Sequence, residues 1–205
     1  MQDREEKLNA LSHGFGIVLG LIGLVLLLVN NSHKSPYDRI SIIIYSLSII
    51  ILFAASTLYH YVSNTQLKEK LRILDHVCIY HLIAGTYTPV ALIALVHGNG
   101  WTIFYTVWGI AAVGMFLKLF FTGKYEIVSL LLYLAMGWLI VFDFQNLMGK
   151  TSLLGLSFLM AGGLFYTLGI VFYAVQRIPY NHLIWHFFVL GGCISHWLFI
   201  YLDVV

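Results

Sequence analysis

The stretch "NHLIWH" sets His182 and His186 four residues apart. On a helix that spacing puts two imidazoles on one face, with Cβ atoms roughly 6 Å apart. It suits one metal ion held by both rings, as in the zinc-protease helix. The glutamate base of that protease pattern is absent, because the residues between are Leu183, Ile184 and Trp185. "ASTLYH" sets Ser56 and His60 at the same spacing, so a hydroxyl and an imidazole share a face. Three histidines and a water would complete a tetrahedral zinc site with one open position. Asp75, in "RILDHV", could accept a hydrogen bond from that water and act as its base, while Ser56 bonds the water or a ligand. Whether these residues meet depends on the elements that carry them.

Those elements are membrane spans. The chain has 205 residues, 60% of them apolar and 10% charged, against roughly 25% charged in an ordinary soluble domain. Apolar runs of about twenty residues recur, each long enough to cross a bilayer as a helix. They do not alternate in polarity over about ten residues, as barrel strands would. Breaks at "NNSHKSPYDR", "SNTQLKEKLR", "HGNG", "FTGKYE", "FQNLMGKTS" and "QRIPYN" leave seven spans, roughly 13–30, 38–61, 72–96, 100–121, 125–143, 151–175 and 181–202. The expected fold is an all-α, seven-helix transmembrane bundle forming one domain over 1–205, with a tail at 1–12. The fifth span is the shortest. The first run is too long for a signal peptide and no cleavage site follows it, so it reads as a retained helix. A net charge of +2 points to no nucleic-acid partner. Cys78 and Cys193 fall inside apolar runs and read as buried free thiols.

With the N-terminus inside, the inner segments hold Arg4, Lys7, Lys68, Lys70, Arg72, Lys118, Lys124 and Arg177. The outer ones hold only Lys34, Arg39 and Lys150. Basic residues prefer the cytoplasmic side, so a cytoplasmic N-terminus and an outer C-terminus are expected. The chain reads as a multi-pass protein of the cell (inner) membrane. This topology puts His60 at the inner end of span 2, Asp75 one turn inside span 3, and His182 and His186 in the first two turns of span 7. All four lie at similar depth. An intramembrane aspartate without a partner is costly. Histidines near helix ends also sit at the interface or bond a carbonyl; His13 could support the metal ligands from behind, but the interface is its plainer place. His76 follows Asp75 by about 100° and faces elsewhere. His196 lies roughly 15 Å along span 7 from His186, too deep to share its ion, and reads as a packed, hydrogen-bonded histidine. Cys78 and His81 line the bundle. His33 and His97 belong to outer loops, and solvation explains Asp143. Gly16, Gly20, Gly162 and Gly163 allow close helix packing.

"EEKLNALSHGFG", "STLYH", "LDHVCIYHLIAGTYTP" and "HLIWHFFVLGGCISH", in this order over seven spans, resemble the hemolysin III group of the progestin and adipoQ receptor superfamily. The resemblance runs over nearly the whole chain. It implies a zinc ion near the cytoplasmic face, with His60, His182 and His186 as ligands and Asp75 acting through a water. Its serine–histidine motif falls on Ser56 and His60. The wider superfamily includes alkaline ceramidases and is thought to contain membrane amide hydrolases. His81 departs from the group, where an apolar residue is typical, without touching the ligand set.

Three functions compete. The first is a zinc-dependent hydrolase of a lipid amide or ester, with membrane lipids as substrate and the apolar bundle admitting an acyl chain laterally. The second is a sensor or receptor in which zinc only ties spans 2, 3 and 7 together. The third is a pore-forming hemolysin acting by cytolysis, which the absence of an amphipathic pore-lining stripe disfavours. Retinal chemistry is disfavoured because span 7 has no lysine for a Schiff base.

Overall fold

The computed structural model describes the backbone of residues 2–205 and side chains from Arg4 onward. Eight α-helices build seven membrane-length spans: α1 (Gln2–Val29), α2 (Asp38–Tyr61), α3 (Thr65–Pro89), α4 (Gly100–Phe121), α5 (Glu126–Gly137), α6 (Phe144–Met148), α7 (Leu153–Ala174) and α8 (Asn181–Phe199). No strand occurs among the described residues. α2 and α3 are the most buried spans. α1 packs along α2 and α8, α3 between α2 and α4, and α7 against α8. Large apolar side chains face outward all round, with Phe142 91% and Leu153 83% exposed. Such a belt is tolerable only in lipid. The chain is therefore a multi-pass membrane protein.

Local chemistry sets the helix ends. Asn64 caps α3 by accepting from the Leu67 amide at 3.0 Å, and Ser152 caps α7 by accepting from Gly155 at 3.0 Å. Pro89 supplies no amide hydrogen, and α3 gives way there to a π-helical turn, Val90–Ala94. Tyr180, at φ +56°, turns the chain into α8 from the left-handed region that a bulky residue rarely adopts. Close approaches use glycine: a Cβ on Gly85 would collide with Ser48 of α2, and one on Gly162 with the His196 ring. Cys78 and Cys193 are buried free thiols, as expected.

Two features differ from the sequence expectation. The residues assigned to a tail at 1–12 are helical from Gln2 and run without a break into the first span. The fifth span is not one helix. α5 ends at Gly137, a 3-10 turn covers Leu139–Asp143, and α6 completes the crossing. The cause lies fifty residues upstream: the Tyr87 hydroxyl donates to the Gly137 carbonyl at 3.0 Å and accepts from the Ile140 amide at 3.0 Å. It thereby satisfies two backbone groups that a continuous helix would have paired internally.

Candidate metal centre

The last turn of α2 and the first two turns of α8 meet at the end of the bundle where α1 begins. His60, His182 and His186 each turn a ligand nitrogen to the same point, and these atoms lie within 4.8 Å of one another. Ring centroids are 4.9 Å apart for His60 and His182, 5.0 Å for His60 and His186, and 4.8 Å for His182 and His186. His60 and His186 are buried and His182 is half-buried. Nitrogen ligands sit about 2.0–2.1 Å from a zinc-type ion, so small ring rotations let one ion bridge all three.

The donor set fits such an ion. The Nε2 atoms of His60 and His182 are buried without a hydrogen-bond partner. A buried polar atom left unmet costs about 1–3 kcal/mol, and two facing one point are best answered by a shared ligand. The Nδ1 atoms of two rings are engaged elsewhere. His60 Nδ1 lies 3.1 Å from the Glu6 carboxylate, while His186 Nδ1 lies 3.1 Å from Ser12 Oγ and 3.3 Å from the Asn9 carbonyl. Metal-binding histidines characteristically use their second nitrogen in this way.

Asp75 is buried on α3 and is not part of the histidine cluster. The Ser56 hydroxyl, also buried, faces the Asp75 carboxyl but closes no hydrogen bond of its own. The structure thus gathers the three expected ligands and sets Ser56 beside Asp75. His196 bonds the Leu159 carbonyl through Nε2 at 3.3 Å, far from the triad, as its depth required.

Two side chains lie elsewhere than their plainer reading puts them. His13 takes the less expected of its two places, against a ligand ring rather than at the interface. It is buried, and its ring stacks on His186 at 3.6 Å with the planes 8° apart. The helical continuation of α1 carries it into the bundle instead of leaving it at the surface. Asp143 is not solvated either: it is buried, and Oδ1 accepts from Asn99 at 2.9 Å and Asn146 at 2.6 Å. The neighbours Glu6, Asn9 and Ser12 were missed. Their spacing with His13, at 6, 9, 12 and 13, is the one-face pattern of a helix, and it would have exposed them had 1–12 been read as helical.

The family profile described as "Haemolysin-III related" matches residues 1–197. A relative described as "Hemolysin-3 homolog" from Bacillus subtilis (strain 168) is 40% identical over 190 residues, 92% of this chain and 89% of the relative. "Hemolysin-3" from Bacillus cereus is 39% identical over 92% of this chain and 87% of its own. The "Monocyte to macrophage differentiation factor" of Homo sapiens is 32% identical over 212 residues, 96% of this chain and 85% of the relative. Seven apolar helices, three histidines able to hold a metal ion and a match along almost the whole chain lead to one conclusion: the protein belongs to the haemolysin-III-related family.

Proposed function

We propose that the chain is a zinc-dependent membrane hydrolase of a lipid amide or ester. The observation that carries this reading is the convergence of His60, His182 and His186 on one point, with the Asp75 carboxyl facing Ser56, one helical turn from His60. His60, His182 and His186 would hold the ion. Zinc, when bound, supplies a Lewis acid and makes water a competent nucleophile near neutral pH. Asp75 takes the proton of the attacking water and returns it to the departing amine or alcohol. Ser56, which faces the Asp75 carboxyl, would orient it by donating a hydrogen bond.

The slot lies between α3, α5, α7 and α8 and is almost wholly apolar. It starts at Ile79, one turn from Asp75, and at Trp185, next to His186. A second apolar cavity shares Tyr87, Trp138, Gly163 and His196 with it and reaches Phe199. From Trp185 to Phe199 is fourteen residues of α8, about 21 Å of rise, enough for a long acyl chain lying along the bundle. A substrate entering from the lipid would place its carbonyl at the histidine end and its tail in the slot.

The charge bias supports a cytoplasmic N-terminus and therefore a site on the cytoplasmic half. A reporter fused after Val205 should be active only outside the cytoplasm. Activity only inside it would reverse this orientation. The enzyme reading is tested by turnover of ceramides, phospholipids and acyl amides in reconstituted vesicles, comparing the intact chain with Asp75→Asn. Hydrolysis by the intact chain and its loss in the variant are expected. Equal rates in both would remove Asp75 as the base. No hydrolysis of any substrate by a zinc-loaded chain would favour a sensor in which the histidines tie α2 to α8.

A further inference from the structure

The beginning of α1 does more than enter the membrane. Glu6 Oε2 is shared between His60 Nδ1 at 3.1 Å and the Lys68 ammonium of α3 at 2.6 Å. Ser12 Oγ donates to the Asn9 carbonyl at 2.8 Å, and both of those oxygens lie within hydrogen-bond range of His186 Nδ1. The proton bookkeeping is then fixed. A carboxylate and a carbonyl only accept, and the Ser12 hydroxyl hydrogen is already committed to Asn9. All three oxygens therefore require a hydrogen on Nδ1 of the facing ring. In a neutral imidazole that leaves the lone pair on Nε2, and Nε2 of His60 is the atom found buried and unmet.

We propose that residues 6–12 of α1 are a positioning shell for the metal centre: Glu6 sets the tautomer and ring plane of His60, and Ser12 with the Asn9 carbonyl sets those of His186. The inference rests on the metal reading above and adds a set of residues from a helix that supplies no ligand. Lys68 is the outer part of the same device, because its ammonium anchors the carboxylate oxygen that His60 uses. His182 has no such fixing partner among the described residues. It is therefore the ligand whose orientation this shell does not set.

The shell orients ligands and touches no substrate, so the test reads metal binding. The detergent-solubilised full chain is titrated with cobalt(II), whose visible bands report the ligand field, and affinity is taken from competition with a chelator. Glu6→Ala should weaken binding by about 10–100-fold, the usual effect of losing a hydrogen-bonded neighbour of a ligand, and should shift the bands. Glu6→Gln retains an acceptor oxygen and should recover part of the affinity. Lys68→Met should give a smaller loss with the same direction of band shift, and Ser12→Ala only a few-fold loss because the Asn9 carbonyl still accepts. The metal-free thermal midpoint checks that each variant is folded. If Glu6→Ala does not fold, Glu6→Gln and Lys68→Met decide the matter. Wild-type affinity and unshifted bands in the folded Glu6 variants would overturn the shell while leaving the triad standing. A wild-type chain that takes up no cobalt and no zinc would overturn the metal reading and the shell with it.

Discussion

The two ends of the bundle use polar residues in opposite ways. At the end remote from the histidine triad, carboxylates are tied into turns, with Asp143 Oδ2 alone among their oxygens buried and unmet. Asp38 accepts from the Arg39 amide at 2.5 Å and lies 3.1 Å from His33 Nδ1. Asp143 holds Asn99 and Asn146. Asp203 accepts from the Ser152 amide and hydroxyl, both at 3.0 Å. At the triad end the reverse holds. Asn9 Oδ1, both ring nitrogens of His13, Ser56 Oγ, Thr57 Oγ1 and the Nε2 atoms of His60 and His182 are all buried and unmet by protein. Each unanswered group costs about 1–3 kcal/mol, so an arrangement of seven in one region is stable only if ions, waters or ligands answer them. One end is polar in order to close loops. The other gathers unmatched polar atoms around three histidines that could hold a metal ion.

The strongest test of this contrast removes the triad. His60→Ala, His182→Ala and His186→Ala should each reduce zinc content from about one ion per chain to near none, since three ligands are the fewest that such sites use. His196→Ala should leave it unchanged. Elemental analysis of the purified chain before any chelator treatment checks both. A wild-type chain without transition metal would abolish the distinction between the ends.

Next in size is Asp75→Asn. Asparagine keeps the shape and a hydrogen-bonding oxygen but cannot take a proton. Turnover should fall by about 10²–10⁴-fold, with zinc content within a few-fold of wild type. Loss of zinc and turnover together would instead make Asp75 a ligand or a structural support.

Much of this was legible before any coordinates. The i, i+4 spacings of Ser56 with His60 and of His182 with His186, combined with seven apolar runs, are enough to bring three histidines that could hold a metal ion to one depth. Helix periodicity and membrane length are local properties, and they survive folding. What stayed hidden was non-local. The break in the fifth span depends on the Tyr87 hydroxyl, and within residues 126–148 only Gly137, a weak helix former, marks the place. Asp143 reads as solvated because Asn99, which helps bury it, stands at the start of α4, far from it in sequence. Glu6, Asn9 and Ser12 read as a charged tail and His13 more readily as interfacial, since charge density near a terminus usually means solvent. The structure instead extends the helix and turns those side chains inward.

A smaller effect is expected at the remote end. Asp143→Ala leaves the Asn99 and Asn146 amides without their acceptor and should lower stability by about 1–3 kcal/mol, seen as a reduced thermal midpoint in detergent. Zinc content should not change. Asp143→Asn, which still offers an oxygen, should lose less. If Asp143→Ala altered metal content or turnover with no change in midpoint, the remote end would have a functional role that the contrast denies it.

The smallest effect separates stacking from ligation at His13. Its ring lies flat against His186, and both of its nitrogens are buried without a partner. If the ring serves as a plate that holds His186 in plane, a phenyl ring can replace it. Aromatic pairs contribute about 0.5–1.5 kcal/mol beyond the area they bury, so His13→Ala should weaken metal binding by roughly 10-fold at most, and His13→Phe by less. The outcome to watch is a His13→Phe variant as poor in zinc as His60→Ala. Phenylalanine preserves the plate and removes only the nitrogens, so such a result would make His13 a fourth ligand. The open position assigned to water would then be filled by protein, and the site would be a closed structural one, in which Asp75→Asn should leave function intact.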